Sequence, residues 1–313
     1  MSRINLILTL ALAIGCTVSA QEWQQIPFPS PEPITGIVMF NADSGYVVTS
    51  DGNFIRTGDR GKSWTRSEDI SGSRLESLCF LDRKTGWICG HKGSIHFTGD
   101  GGHTWTNQSW KDSLAVFFDM QMINKDTGIV VGMRPDDSNK LAAIALKTND
   151  GGKSWMLMEP MGMGYSEALF EPTSHKLYFM SMGKLHISSD GARKWQSLYT
   201  LEGAPARTFS IYSNTGIMAG PKGVCAYSAD GGKTWYKINR GQTEHFVSSV
   251  LVDAMRGFIG GLNGIMLATS DGGRNWQPET LPKSFLVMDM FALGTTVFAV
   301  GSEGTILYKN FKQ

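Results

Sequence analysis

Thr98-Gly-Asp-Gly-Gly-His-Thr-Trp105 is one of six versions of a single phrase in this chain. The others are Thr57-Gly-Asp-Arg-Gly-Lys-Ser-Trp64, Thr148-Asn-Asp-Gly-Gly-Lys-Ser-Trp155, Ser188-Ser-Asp-Gly-Ala-Arg-Lys-Trp195, Ser228-Ala-Asp-Gly-Gly-Lys-Thr-Trp235 and Thr269-Ser-Asp-Gly-Gly-Arg-Asn-Trp276. Successive tryptophans lie 41, 50, 40, 40 and 41 residues apart. A period near 40 residues marks one supersecondary unit used repeatedly. Each phrase sits between short apolar runs, so it predicts a hairpin: strand, Asp/Gly turn, strand. The aspartate can accept turn N–H groups, and the glycines supply positive φ. The tryptophan opens the next strand with a large apolar face. Asp59, Asp100, Asp150, Asp190, Asp230 and Asp271 are therefore turn-formers, not a ring of metal ligands or acids.

A second marker, Gly-x-x-Gly, recurs at Gly90/Gly93, Gly220/Gly223, Gly261/Gly264 and Gly301/Gly304. Two tight turns per unit, each after an apolar run, give four short strands, which is a propeller blade. The last Gly-x-x-Gly lacks a tryptophan after it, and the missing piece lies at the other end. Trp23 stands 29 residues before Gly52, the same step as Trp64 to Gly93 and Trp235 to Gly264. The sequence thus predicts an all-β, seven-bladed β-propeller of four-stranded antiparallel blades, closed by an N-terminal strand that completes the last blade.

The run Gly86-Trp-Ile-Cys-Gly-His-Lys-Gly-Ser-Ile-His-Phe-Thr-Gly-Asp-Gly-Gly-His-Thr-Trp105, echoed from Gly257 to Trp276, resembles the Asp-box, or bacterial neuraminidase repeat, propellers. More narrowly, it resembles the photosystem II stability/assembly factor family. That resemblance implies a non-enzymatic factor that holds membrane-protein intermediates. Of the arginine-rich face it also implies, Arg74 and Arg207 occupy similar places in two blades.

Residues 1–20 read as a secretory leader: a basic start at Arg3, an apolar run from Ile4 to Ile14, and Val18-Ser-Ala20 before Gln21. Cys16 leaves a lipid anchor open as an alternative. Residues 21–313 are then expected to form one propeller domain in the periplasm or outside the cell, a monomer with no later membrane span. Removing Arg3 from 29 basic side chains leaves 28, against 28 acidic ones. That balance excludes the strong basic excess of a nucleic-acid binder. Cys79 and Cys89 flank a turn. If Leu81 opposes Trp87, they face each other and can form a disulfide, the alternative being two free thiols. No cofactor or metal motif is present, and no catalytic residue is assigned.

In this layout the Asp turns share one rim. The opposite rim carries the Gly-x-x-Gly turns and the connections between blades. The 50-residue interval places its extra length after Gly132, as Met133-Arg-Pro-Asp-Asp-Ser-Asn-Lys140. This predicts a charged loop on that rim, with Arg134, Asp136 and Asp137 as binding candidates. Further candidates on the same rim are His91, Lys92, Trp110, Tyr165, Arg207, His245 and Phe246. Met156, Met158, Met161 and Met163, with Met180 and Met182, offer either adaptable packing or soft ligands for a copper(I) ion. Two function classes follow. One is an exported scaffold that binds an envelope protein. The other is a glycan binder or sialidase-like hydrolase, which needs two carboxylates across a cleft, for which Asp136, Asp137, Glu167 and Glu303 are candidates. The arginine that sialidases carry in an Arg-Ile-Pro context is absent, since the chain reads Gln25-Ile-Pro27.

Overall fold

In the computed structural model, residues 22–67, 70, 72–158, 166–181, 184–200, 206–238 and 243–311 are described. The leader, Cys16, Tyr165, Met161, Met163 and Met182 lie outside those residues. Seven antiparallel sheets of four strands each surround a central channel. Six blades are consecutive: blade 1 (34–66), blade 2 (75–107), blade 3 (116–157), blade 4 (166–200), blade 5 (208–237) and blade 6 (246–278). Blade 7 takes three strands from 287–310 and its outermost from Gln24–Ile26. The first strand of each blade lines the channel, and its neighbours are the first strands of the two adjacent blades.

Every sheet is covered on both faces by other blades. The second strands accordingly read as continuous buried runs, such as Gly86–Gly90 and Gly257–Gly261, and do not alternate. The Gly-x-x-Gly turn follows them. A Cβ on Gly90, Gly261 or Gly301 would lie about 2 Å from a carbonyl oxygen of the incoming chain, at Arg74, His245 and Leu286 respectively. The second glycine, as at Gly93 and Gly264, has φ of +67° and +74°.

The Asp turn is built alike in the six blades. In blade 5, Asp230 Oδ1 accepts the N–H groups of Lys233 and Thr234 at 3.0 and 2.9 Å, and its Oδ2 accepts the Thr234 hydroxyl at 2.6 Å. The Ser228 hydroxyl donates to Asp230 and accepts the Gly232 N–H, both at 2.9 Å. One carboxylate thus absorbs donors that the turn leaves without strand partners. The turn is also tied to the first hairpin of its own blade, since Gly231 N–H donates to the Asn214 carbonyl at 2.8 Å. Replacing Asp230 by alanine should lower the melting temperature by a few degrees and leave partner capture unchanged. Capture lost at an unchanged melting temperature would contradict this scaffold role.

Ring closure rests on a short strand with well-anchored ends. Gln24, Gln25 and Ile26 pair with Tyr308, Leu307 and Ile306. Trp23 is 4% exposed and packs edge-to-face on Phe258 at 5.3 Å. Its indole N–H donates to Glu279 at 3.0 Å, and the buried Lys309 ammonium bonds the same carboxylate oxygen. Deleting residues 21–27 would expose the strand edge of 305–310 and the cavity left by Trp23. We expect a loss of about 10 °C or more in melting temperature, measured by calorimetry.

The cysteine expectation is corrected by register. Leu81 N–H donates to Thr85 O, so the hairpin closes one residue earlier than assumed and Phe80 faces Gly86. Cys79 then faces Trp87, and Ser77 faces Cys89. Both thiols are free. Cys79 Sγ instead accepts the Met122 N–H of blade 3 at 3.3 Å.

Candidate functional site

The rim opposite the Asp turns gathers two groups of the candidate residues. The first spans blades 2 and 3. Met133–Lys140 is not an irregular loop. Strand pairing continues through Met133↔Ala143 to Pro135↔Leu141, so the extra residues lengthen a hairpin, Gly128–Pro135 with Leu141–Thr148. Only 136–140 form the turn. Asp136 closes it by accepting the N–H groups of Ser138 and Lys140 at 2.8 and 2.9 Å. The Lys140 bond, first among several, holds the Asp136 carboxyl below its ordinary pKa. Asp136 is therefore a turn residue, while Asp137 beside it is exposed. Arg134 is half-buried. Its guanidinium pairs with Asp112 at 3.1 Å and donates to Pro135 O at 3.2 Å.

Asp112 belongs to the connection between blades 2 and 3, which joins this hairpin to the neighbouring turn. Gly93 N–H donates to Ala115 O, and Trp110 N–H donates to Gly93 O. Trp110 itself is half-buried against Phe117. Lys92 is exposed with φ 58°. His91 Nε2 meets Glu76 Oε1 at 2.9 Å, and Arg74 bonds the same oxygen. His91, Lys92, Trp110 and Arg134 are thus contiguous. Two apolar residues that the sequence reading missed stand among them. Leu114 is 65% exposed and Leu141 is 55% exposed. Leu114 is held by its N–H to Asp112, the partner of Arg134.

The second group spans blades 5 and 6. Arg207 is half-buried, and Lys222 and His245 are exposed. Phe246 corrects the expectation: it is fully buried in a cluster with Ile259, Leu267 and Trp276. It opens the first strand of blade 6, where an apolar side chain turns into the interblade core and away from the rim. The methionines do not converge as a set. Met158 and Met180 are buried in different clusters, and Met156 is exposed. Among the described residues no group of three or more His, Cys, Asp or Glu is arranged to hold a metal ion.

Of the candidate carboxylates, Glu303 pairs with Lys283 at 2.9 Å on the rim, and Glu167 lies in the channel. Glu167 accepts the Phe209 N–H of blade 5 at 2.7 Å. Asp119 and Asp289 do the same across other boundaries, accepting Ala168 N–H at 2.9 Å and Ile37 N–H at 3.1 Å. All three are half-buried where the inner strands face the channel. Burial first, and then mutual repulsion, pushes Glu167 well above its ordinary pKa and Asp289 up to about 7. Burial pushes Asp119 up to about 6. The sequence carried a usable signal: Asp119 and Asp289 interrupt the apolar first strands of two blades, each just after a bulge.

Comparison with known proteins places this architecture. The family described as photosynthesis system II assembly factor YCF48 matches residues 16–107 and 67–198, together more than half of the chain. The chain belongs to this family. The BNR/Asp-box repeat also matches at residues 226–237. No curated protein matches. Among solved structures, YCF48 bound to a D1 peptide is 18% identical with a TM-score of 0.75, over 94% of this chain and 99% of that one. YCF48 from Cyanidioschyzon merolae is 14% identical with a TM-score of 0.72, over 92% and 98%. A GH74 xyloglucanase from Xanthomonas campestris is 12% identical with a TM-score of 0.70, over 93% of this chain and 54% of that one. At these identities the likeness is one of fold.

The channel carboxylates predict an unusual pH profile. Their folded pKa values lie above their unfolded ones near 4, so the folded state pays for ionising them. Their contribution should therefore improve as pH falls from about 8 to about 5. The Asp-turn carboxylates are shifted the opposite way, and their contribution is lost below about pH 4. Melting temperature should rise on mild acidification and then fall. Asp289→Asn should flatten the rise. A wild-type melting temperature that only falls between pH 8 and 5 would contradict these shifts.

Proposed function

We propose that this YCF48-family propeller is an exported, non-catalytic scaffold that holds a client polypeptide on the rim opposite the Asp turns. The observation that carries the reading is the lengthened hairpin of blade 3 within an otherwise regular ring. It supports a mixed surface: exposed Leu114 and Leu141, half-buried Arg134, and exposed Asp137 and Lys140. Apolar area for contact, framed by charges for register, is the composition of a protein-binding patch. The Arg134–Asp112 pair braces this patch and leaves part of the guanidinium fork for a partner.

Two further lines support it. A solved structure of YCF48 contains a bound D1 peptide, so a propeller of this family can hold a polypeptide segment. Three of the four carboxylates that a hydrolase reading would draw on are committed elsewhere, Asp136 to its turn, Glu303 to Lys283 and Glu167 to the backbone of blade 5, which leaves Asp137. Export rests on the leader at residues 1–20, and an envelope protein is the client class that compartment offers.

The test uses the mature protein as bait in envelope extracts, beside a variant whose 133–140 segment is shortened to a Gly-x-x-Gly turn. The variant should keep its melting temperature within a few degrees and lose most of its client capture. Leu114→Ser with Leu141→Ser should weaken capture about tenfold or more, as expected when two apolar anchors are removed. Undiminished capture by both variants would overturn the placement.

A further inference from the structure

One Asp turn is held less firmly than its sisters. In blade 4 the phrase reads Ser188-Ser-Asp-Gly-Ala-Arg-Lys-Trp195. Asp190 Oδ1 still accepts the N–H groups of Arg193 and Lys194 at 3.0 and 2.9 Å and the Ser188 hydroxyl at 2.9 Å. Three supports that the other turns share are missing. The first is a partner for the second carboxylate oxygen. Ser63, Thr104, Ser154, Thr234 and Asn275 donate a side chain to it at 2.6 to 2.7 Å in the other five blades. Blade 4 has Lys194 at that place, and Asp190 Oδ2 has no hydrogen-bond partner among the described residues.

The second is the tie to the first hairpin of the blade. Arg60, Gly101, Gly151, Gly231 and Gly272 each donate their N–H to a carbonyl there, at 2.8 to 2.9 Å. Gly191 makes no such bond among the described residues, and a Cβ on it would meet nothing within 4 Å. On Gly101 and Gly151 a Cβ would lie 2.7 and 2.8 Å from the carbonyl oxygens of Arg83 and Lys125. The first hairpin of blade 4 turns through 172–175 and is closed differently, with Glu171 accepting the N–H groups of Thr173 and Ser174. The third support is backbone ease. The next residue is left-handed in all six turns. Five are glycines with φ of +75° to +90°, while blade 4 has Ala192 at +63°, which strains an L-residue. The Ala192 methyl is buried in a cluster with Ile129 and Val131, which offsets part of that cost.

This turn presents a specific chemistry. Arg193 and Lys194 stand side by side, and both are exposed. Lys62, Lys153, Lys233 and Arg274 are exposed basic residues on the same backbone plan, but in turns that keep all three supports. An endopeptidase takes its substrate extended, so a tight turn is cut only as it opens, at a rate that follows the open population. We propose that Arg193–Lys194 is a proteolytic processing site: an endopeptidase specific for basic residues hydrolyses this bond in the folded ring and spares the sister turns. Water adds its hydroxyl to the Arg193 carbonyl carbon and a proton to the Lys194 nitrogen. That nitrogen already lies 2.9 Å from Asp190 Oδ1, so the new ammonium gains a charge-assisted bond that keeps the cut ends together. The flanking strands, Lys184–Ser188 and Gln196–Thr200, remain paired. The ring thereby acquires a second seam, in blade 4, across from the one in blade 7. The site is on the Asp-turn rim and does not depend on where a client binds.

The test digests the mature protein with trypsin and follows molecules cut once, by intact-mass spectrometry. The rate at each bond is divided by the rate on a free peptide of the same sequence, which removes sequence preference. The ratio at Arg193 should exceed those at Lys62, Lys153, Lys233 and Arg274 about tenfold or more. Lys194→Thr supplies the missing donor to Asp190 and should lower the ratio about fivefold. Thr234→Lys gives blade 5 the same basic pair but leaves its tie to the first hairpin, so blade 5 should stay about fivefold or more below blade 4. The cut protein should elute as one species from a sizing column. Equal ratios at the five turns would overturn the proposal, as would equal cutting of blades 4 and 5 in Thr234→Lys. An unchanged ratio in Lys194→Thr, or separation of the two pieces in buffer, would overturn it as well.

Discussion

Each blade of a propeller ends, at the channel, in a strand with one unpaired edge. Those N–H groups lie within the protein, where an unsatisfied donor costs about 1–3 kcal/mol. Here the preceding blade supplies many of the missing acceptors through side chains. Asp289 serves Ile37, Cys79 serves Met122, Asp119 serves Ala168, Glu167 serves Phe209 and Ser210 serves Leu251. The ring is thus held at its centre by side chain to backbone bonds as well as by apolar packing between blades. Three of the acceptors are carboxylates in surroundings that disfavour their charge, so neutrality at the hub is the condition under which the ring is tightest.

The scaffold was legible in the sequence because its determinants are local and repeated. An aspartate two residues after a Ser or Thr, with glycines following, can hardly do other than bind its own turn. Counting from tryptophan to glycine was enough to place Trp23 in the last blade. Register failed where it depended on the position of a turn by one residue: Leu81 joins the turn, Gly86 leaves it, and Cys79 and Cys89 therefore miss each other. The rim was less legible. Phe246 looked like a rim aromatic because counting locates a residue along a strand but not the face it takes. The insertion after Gly132 was found, but its continuation as paired strands was not, since Arg134-Pro135-Asp136-Asp137 carries turn chemistry that strand pairing overrides up to Pro135. Leu114 was passed over for want of any pattern around it.

Function in such a ring concentrates where one unit departs from its sisters. The hairpin of blade 3 departs in length. The four left-handed residues at equivalent turn positions, Lys92, Lys222, Asn263 and Glu303, share a backbone but no common chemistry. That variation at constant geometry gives the rim an uneven charge around the ring, with cations at blades 2 and 5 and an anion at blade 7.

The pairing of Gln24–Ile26 with Thr305–Asn310 also sets an order of events. Within the ring, the earliest strand to be synthesised finds its partner in the latest, across nearly the whole propeller. Six blades can assemble from neighbouring segments as they appear, but the seventh waits, and closing so long a loop is slow. Until then Trp23 and the edge of 305–310 are both uncovered and open to pairing with another molecule. A growing chain therefore carries an unsealed seam until the last blade is made, and the buried Lys309–Glu279–Trp23 contact is the fastening that ends this exposure.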